Sequence, residues 1–240
     1  MVSSALANTS WPPGPKPMVT AVTAQNTVAV RAIHTIPPDI IAAQLDAVLD
    51  DIPIAAVKIG MLANADTIRV VADRLRAHQV RNIVLDPVMV AKSGDHLLQQ
   101  SAIAALKSEL IPLATLLTPN LPEAAQLVPS GDSTAMLAAL RQLGAQAVLL
   151  KGGHGAGDTI EDLLLVGSEY HSFRHPRLTT PHTHGTGCSL SSAITAGFAR
   201  GLLVVAAVDE AITWITEAIA HAWPLGAGHG PIHHFWKLWP

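Results

Sequence analysis

The sequence predicts a single α/β domain built on a mostly parallel central sheet with helices on both faces. Short β-branched runs alternate with longer segments of 3.6-residue apolar periodicity, the pattern of successive strand–helix–strand units. Hydrophobic residues make up 49% of the 240 and charged ones only 14%, so a sizeable core is expected and disorder is not. Neither an internal repeat nor an interior low-complexity linker divides the chain.

Residues 1–17 are rich in Ser, Ala, Asn and Pro, with Pro12, Pro13, Pro15 and Pro17 interrupting any regular element. They are expected to form an irregular leader, the domain proper spanning 18–240. Strands are expected at 18–22 and 28–33, around the polar Gln25-Asn26-Thr27. Pro38 and Asp39 then open a helix with Ile40, Ile41, Leu45, Val48 and Leu49 on one face. A strand at 55–59, a helix at 66–78 and a strand at 82–85 follow, then a turn at 93–95. Next come a helix at 102–110, a strand at 115–117, helices at 121–127 and 134–143, and a strand at 147–150. The spacing shortens after residue 159, which predicts antiparallel strands at 160–166, 170–173 and 177–179 near one sheet edge. Helices at 190–200 and 208–222 close the domain. Open α/β sheets bind ligands beyond the carboxyl ends of their strands, so the loops after Ile59, Leu85, Pro119 and Leu150 are the places to search.

Composition excludes several classes. A net charge of −3, with fifteen basic residues scattered singly, argues against a nucleic-acid or membrane-surface partner. No apolar run reaches the length of about 18 residues that spans a bilayer, and the first residues do not read as a signal peptide. One cysteine cannot form an internal disulfide, which fits a reducing, cytoplasmic setting. Neither a P-loop nor a dinucleotide fingerprint occurs, and the twelve histidines lack metal-ligand spacing.

The richest stretch is His184-Gly185-Thr186-Gly187-Cys188-Ser189, immediately before an amphipathic run. Gly185, Thr186 and Gly187 bring outward-pointing N–H groups to a helix start, which suits an anion such as phosphate. Cys188, within the turn, is expected to ionise more easily than a free thiol and is a candidate base. On residue type alone it also reads as a small cysteine packed under a helix. Asn120 and Glu123 have the spacing of a capping box. Lys151 emerges from a strand before Gly152-Gly153, where it is either a charge for a ligand or a solvated side chain. Asp86 ends a strand before Pro87 and can orient a ligand or cap the following turn.

Seven segments in order carry a family resemblance: TAQNT (23–27), KIGML (58–62), LDPVMVAKSGDHLL (85–98), TPNLPEAAQL (118–127), KGGH (151–154), HGTGCSLSSAI (184–194) and GPIHHFW (230–236). The chain resembles the hydroxymethylpyrimidine/phosphomethylpyrimidine kinases of thiamine biosynthesis, of the ribokinase-like superfamily. The resemblance implies a three-layer ribokinase-like sandwich and an ATP- and Mg2+-dependent kinase. Its acceptors would be the pyrimidine alcohol and then the alcohol's monophosphate. It implies that Cys188 is the base and Gly185, Thr186 and Gly187 the anion hole. Lys151, Asn120 and Asp86 would serve ATP, and Glu123 with Asn120 would organise Mg2+. Gln25 would read the pyrimidine edge, since an amide both donates and accepts; Met61 and Val88 would line the ring, although both suit plain core packing. A homodimer is implied as well.

The family usually begins with a strand, a glycine-rich loop and a helix ahead of the equivalent of Val19. Residues 1–17 do not supply them, so the domain is expected to be N-terminally incomplete, with neighbouring strand edges exposed. Pyridoxal kinase shares the architecture and a cysteine base and is the alternative activity. A truncated, non-catalytic binder of nucleotide or pyrimidine is the alternative of a different class.

Overall fold

Residues 4–7, 15–90, 97–153 and 157–239 are described by a computed structural model. Strands β1 (Ser4–Ala7), β2 (Pro15–Met18), β3 (Ala21–Gln25) and β4 (Val30–Thr35) precede α1 (Pro38–Leu49). Then come β5 (Ala56–Ile59), α2 (Ala65–Ala77), β6 (Ile83–Leu85), α3 (Ala102–Ala105), β7 (Leu116–Leu117), α4 (Leu121–Leu127), α5 (Ser133–Gln142) and β8 (Ala147–Leu150). β9 (Thr159–Val166), β10 (Glu169–Pro176), α6 (Thr186–Ala199) and α7 (Val204–Ala220) follow.

Among the described residues eight strands form one sheet in the order β10-β9-β8-β7-β6-β5-β1-β2. The four central strands, β5 to β8, run parallel, and the outer pairs are antiparallel. Strand alternation divides the core. Val57, Ile59, Ile83, Leu85, Leu117, Val148 and Leu150 face the layer holding α1 to α5. Ala56, Val84, Leu116, Ala147 and Leu149 face α6 and α7. This is the expected ribokinase-like sandwich of sheet between two helical layers.

Local chemistry explains the helices. Pro38 stands in the first turn of α1, where its missing N–H costs nothing, and Asp39 there complements the helix dipole. Asn64 caps α2 by accepting from the Thr67 N–H at 2.9 Å. The helix expected at 102–110 begins as α3, then widens into a π-helical turn, Leu106–Leu110, and ends in a 3-10 turn containing Pro112.

Four expectations are corrected. Ser4–Ala7 and Pro15–Met18 are strands where an irregular leader was expected. Pro15 and Pro17 are tolerated because β2 lies at the sheet's edge, where an absent N–H breaks no ladder. The outer edge of β5, expected to be exposed, is paired with β1, since open strand edges accept any available backbone. The first two strands after the leader shift to β3 and β4 and form a separate two-stranded hairpin. No strand forms at 177–179: the Arg177 guanidinium instead donates to the carbonyls of Gly157 at 2.7 Å and Gly153 at 2.8 Å. The turn at 93–95 lies outside the described residues. No helix among those described is long and apolar enough to cross a membrane.

Candidate active site

The ladder of the four parallel strands continues one or two residues beyond their named ends. The Asp86 N–H donates to Ile59, Thr118 to Leu85 and Lys151 to Pro119, each at 2.9 Å. Alternation then sets four polar residues on the face toward α6: Lys58, Asp86, Thr118 and Lys151, on successive strands. Three are almost fully buried and Lys151 is nearly so.

Asp86 sits at the middle of this row. Its Oδ1 accepts from Lys151 Nζ at 2.8 Å and from Thr118 Oγ1 at 3.3 Å, and its Oδ2 from Ser191 Oγ at 3.4 Å. Burial would raise the Asp86 carboxyl, but Lys151 and Lys58 outweigh it and hold the group below the usual carboxylate range. Burial works equally against charge on Lys151; Asp86 and Glu123 more than reverse it, and the ammonium keeps its proton more tightly than a free lysine. Lys151 is therefore a paired, buried charge and not a solvated one.

Helix α6 ends over this pair. Gly185, at φ +85°, takes the left-handed conformation that lets the chain turn into the helix. The helix starts at Thr186, four residues earlier than the periodicity indicates, so Cys188 lies in its first turn and not in the loop before it. Thr186 turns its N–H back onto the Thr183 carbonyl at 3.3 Å. The N–H groups of Gly187 and Cys188 thus remain as first-turn donors without an intrahelical acceptor. A Cβ at Gly187 would lie 3.4 Å from Lys151 Nζ and 3.9 Å from Asp86 Oδ2.

The thiol corrects the expectation of easy ionisation. Burial pushes Cys188 up; Lys58 opposes this, Asp86 adds to it, and the helix end does not prevail. Asn120 and Glu123 form the capping box of α4: Glu123 N–H donates to Asn120 Oδ1 at 2.9 Å, and Asn120 N–H to Glu123 Oε2 at 2.8 Å. Glu123 also faces the lysine. Burial, opposed by Lys151 and helped by Asp86, pushes its carboxyl up to about 7.

At the other end Met61 is buried in a small cluster with Ala21 and Ala63. Gln25 ends β3 on the half-buried face that Ala21 begins. Val88 is half-buried two residues beyond Asp86. Met61 thus packs against the base of the hairpin that carries Gln25, while among the described residues no hydrogen bond ties Gln25 to the helix end directly.

The C-terminal segment makes that tie. Gly228 N–H donates to Thr27 Oγ1 at 3.3 Å, and His229 N–H to the Thr27 carbonyl at 2.9 Å. His184 N–H donates to the Gly230 carbonyl at 3.0 Å, and His234 Nε2 lies 2.8 Å from Ser189 Oγ. TAQNT and GPIHHFW, far apart in sequence, are brought together by this strap.

Sequence reasoning missed Lys58, Thr118, Ser191 and Asp162. Lys58 and Thr118 had a signal, a polar residue at the carboxyl end of an apolar strand. Asp162 accepts from the Gly152 N–H at 2.7 Å and lies 3.2 Å from His175 Nε2, anchoring the loop after Lys151.

Buried cations, a carboxylate and free helix-end donors at the carboxyl edge of a parallel sheet suit phosphoryl transfer, and the fold is that of the ribokinase-like kinases. Residues 15–233 match the phosphomethylpyrimidine kinase family, and the chain belongs to it. It is 45% identical to the hydroxymethylpyrimidine/phosphomethylpyrimidine kinase of Escherichia coli K12, across 92% of this chain and 86% of that one. It is 48% identical to the thiamine biosynthesis bifunctional protein ThiED of Geobacter sulfurreducens, across 90% of this chain but only 45% of that longer protein. Among solved structures, the phosphomethylpyrimidine kinase of Clostridium difficile 630 superposes with a TM-score of 0.75 at 38% identity, covering 84% of this chain and 85% of that one. The Bacillus subtilis pyridoxal kinase, an ADP complex, gives 0.83 at 33% identity, covering 93% and 87%.

Proposed function

We propose that the chain transfers the γ-phosphoryl group of ATP to 4-amino-5-hydroxymethyl-2-methylpyrimidine and then to the resulting monophosphate, in thiamine diphosphate biosynthesis. The observation that carries this reading is the Lys151–Asp86 pair directly beneath Gly187, one residue from Cys188. Lys151 and the N–H groups of Gly187 and Cys188 would hold the transferred phosphoryl, with Gly185 and Thr186 shaping the turn. The thiolate form of Cys188, reached once the thiol that burial favours has given its own proton to solvent, would take the hydroxyl proton. Gln25 would read the ring's nitrogen and amine edge, beside Met61 and Val88. The two pyrimidine kinases named above support the pyrimidine acceptor through their higher identity, 45% and 38% against 33% for the pyridoxal kinase.

Mg2+ is part of the same reading. Asp86, Glu123 and Asn120 carry side-chain oxygens, which suit that hard cation. Their oxygens are already engaged, Asp86 by Lys151 and Glu123 by Asn120. Among the described residues no three His, Cys, Asp or Glu side chains gather as a cage. These residues would hold the ion through water, with nucleotide phosphates completing it, and the ion would supply charge neutralisation. Cytoplasmic location and a homodimer complete the proposal; the exposed Val22, Val28 and Ile33 of the hairpin support self-association.

ADP release measured with the pyrimidine alcohol, its monophosphate and pyridoxal tests the function. Turnover is expected on both pyrimidines and weakest on pyridoxal. Folded protein that turns over pyridoxal alone, or nothing, would overturn it.

A further inference from the structure

Lys58 is the buried charge that the proposed first transfer leaves unused. In β5, Val57 and Ile59 point into one core layer and Ala56 into the other, so Lys58 faces α6 with Ala56. It is 4% exposed, and among the described residues no carboxylate lies within ion-pair distance of its ammonium; Asp86, whose charge it favours from the next strand, is bonded by Lys151. Lys151, the other cation of the row, has its carboxylate at 2.8 Å. A buried ammonium that no carboxylate bonds directly is costly to keep, and an anionic ligand group beside it would offset that cost. Strand order fixes which ligand end it serves. Lys151 and Glu123 lie on the β7–β8 side of Asp86; Lys58 lies on the β5 side, three residues before Met61 and next to the clustered base of the hairpin. One cation faces the nucleotide end of the site, the other the acceptor end.

The two acceptors differ in what they require. A hydroxymethyl group must lose a proton to become a nucleophile. A phosphomonoester at neutral pH carries a charge of about −1.5 to −2 and has little or no proton to lose. One of its oxygens forms a bond to the γ-phosphorus while the bond from that phosphorus to the β–γ bridging oxygen breaks, and ADP leaves with the electron pair. What limits this second step is repulsion between two phosphate groups brought into contact, and a buried cation between them relieves it.

We propose that Lys58 binds the phosphate of a phosphomonoester acceptor and so makes the site competent for the second transfer. The inference rests on the function proposed above. Its test compares kcat/KM for the alcohol and for the monophosphate in the wild-type protein, Lys58→Met and Lys58→Arg. The ratio of second-step to first-step kcat/KM is expected to fall by about 10- to 100-fold in Lys58→Met, the effect of losing one hydrogen bond to a charged group, and to recover in part in Lys58→Arg. Equal losses in both steps, or an unchanged ratio, would overturn the assignment while leaving the kinase reading intact. Calorimetry on the unmodified protein supplies a second measurement that needs no variant: the monophosphate should bind more tightly than the alcohol, and equal or weaker binding would also refute the role. Wild-type protein inactive on both acceptors would instead sink the parent reading.

Discussion

Lys151 and Asp86 meet at 2.8 Å although their strands are separated by a third, and the Thr118 hydroxyl from that intervening strand reaches the same carboxylate oxygen. The pair is fixed by the sheet itself, not by a loop. Removing one member strands the other in the interior. Lys151→Met is expected to destabilise the fold by about 3 kcal/mol, and Lys151→Met/Asp86→Asn by clearly less than the two single losses summed. Urea unfolding of the four proteins measures the coupling; additive losses would show the pair to be energetically independent.

Gly187 separates packing from function. Alanine there meets Lys151 Nζ at 3.4 Å, an ordinary contact, and removes the conformational freedom of glycine from the unfolded chain. Gly187→Ala should leave the thermal midpoint unchanged or raised, by up to about 1 kcal/mol in stability. The added methyl sits where a phosphoryl group would rest over the pair, so turnover should fall at least tenfold. Unimpaired turnover would remove this space from the phosphoryl path.

Cys188 is raised by burial, so it rests as a thiol. Iodoacetamide at pH 7.5 should label it more slowly than a cysteine in an unfolded peptide, and labelling at the peptide rate would contradict the burial argument. Loss of a general base costs about 10²- to 10⁴-fold. Cys188→Ala should show that loss with the alcohol and a smaller one with the monophosphate, whose attacking oxygen has little proton to give up.

Glu123 makes stability depend on pH. Its carboxyl sits at about 7 in the fold, against 4.5 for a free glutamate, with burial the main cause. Between those values the native chain binds more protons than the unfolded one, so the contribution is complete below about 4.5 and is lost as pH rises toward 7. The slope from this one group is at most about 1.4 kcal/mol per pH unit. Glu123→Gln keeps the capping geometry and removes the titration. Urea midpoints across pH 5 to 7.5 should show a declining component in the wild-type protein that is missing in Glu123→Gln.

The alternation of strands and helices was legible because each element carries its own period, as in Ile83–Leu85 and Ala65–Ala77. Asn120 and Glu123 were legible as a cap for the same reason: the signal is local. What could not be read depends on distant backbone. Thr186 begins a helix because Gly185 can adopt φ +85° and Thr183 supplies an acceptor, which no apolar spacing records. Pro15 and Pro17 argued against a strand until an edge position made them harmless. Cys188 was expected to ionise from its helix position, but burial among charges of both signs decides the matter, and that is a property of four strands together.

The strap offers the sharpest test of how the two ends of the site are held. Gly228 lies so close to the hairpin that a Cβ there would overlap the Thr27 carbonyl, and Gly226 is pressed against the same threonine. The contact joins the turn that follows Gln25 to a segment whose next residues bond His184 and Ser189. Gly228→Ala must push the hairpin and the strap apart, whereas Lys151 and Asp86 are bonded to each other on the sheet and not to the strap. The expected signature is a rise in acceptor KM of about tenfold, from loss of a positioned polar contact, with a much smaller change in the KM for ATP. Parallel rises in both constants would mean that the strap supports the fold generally and not the acceptor wall.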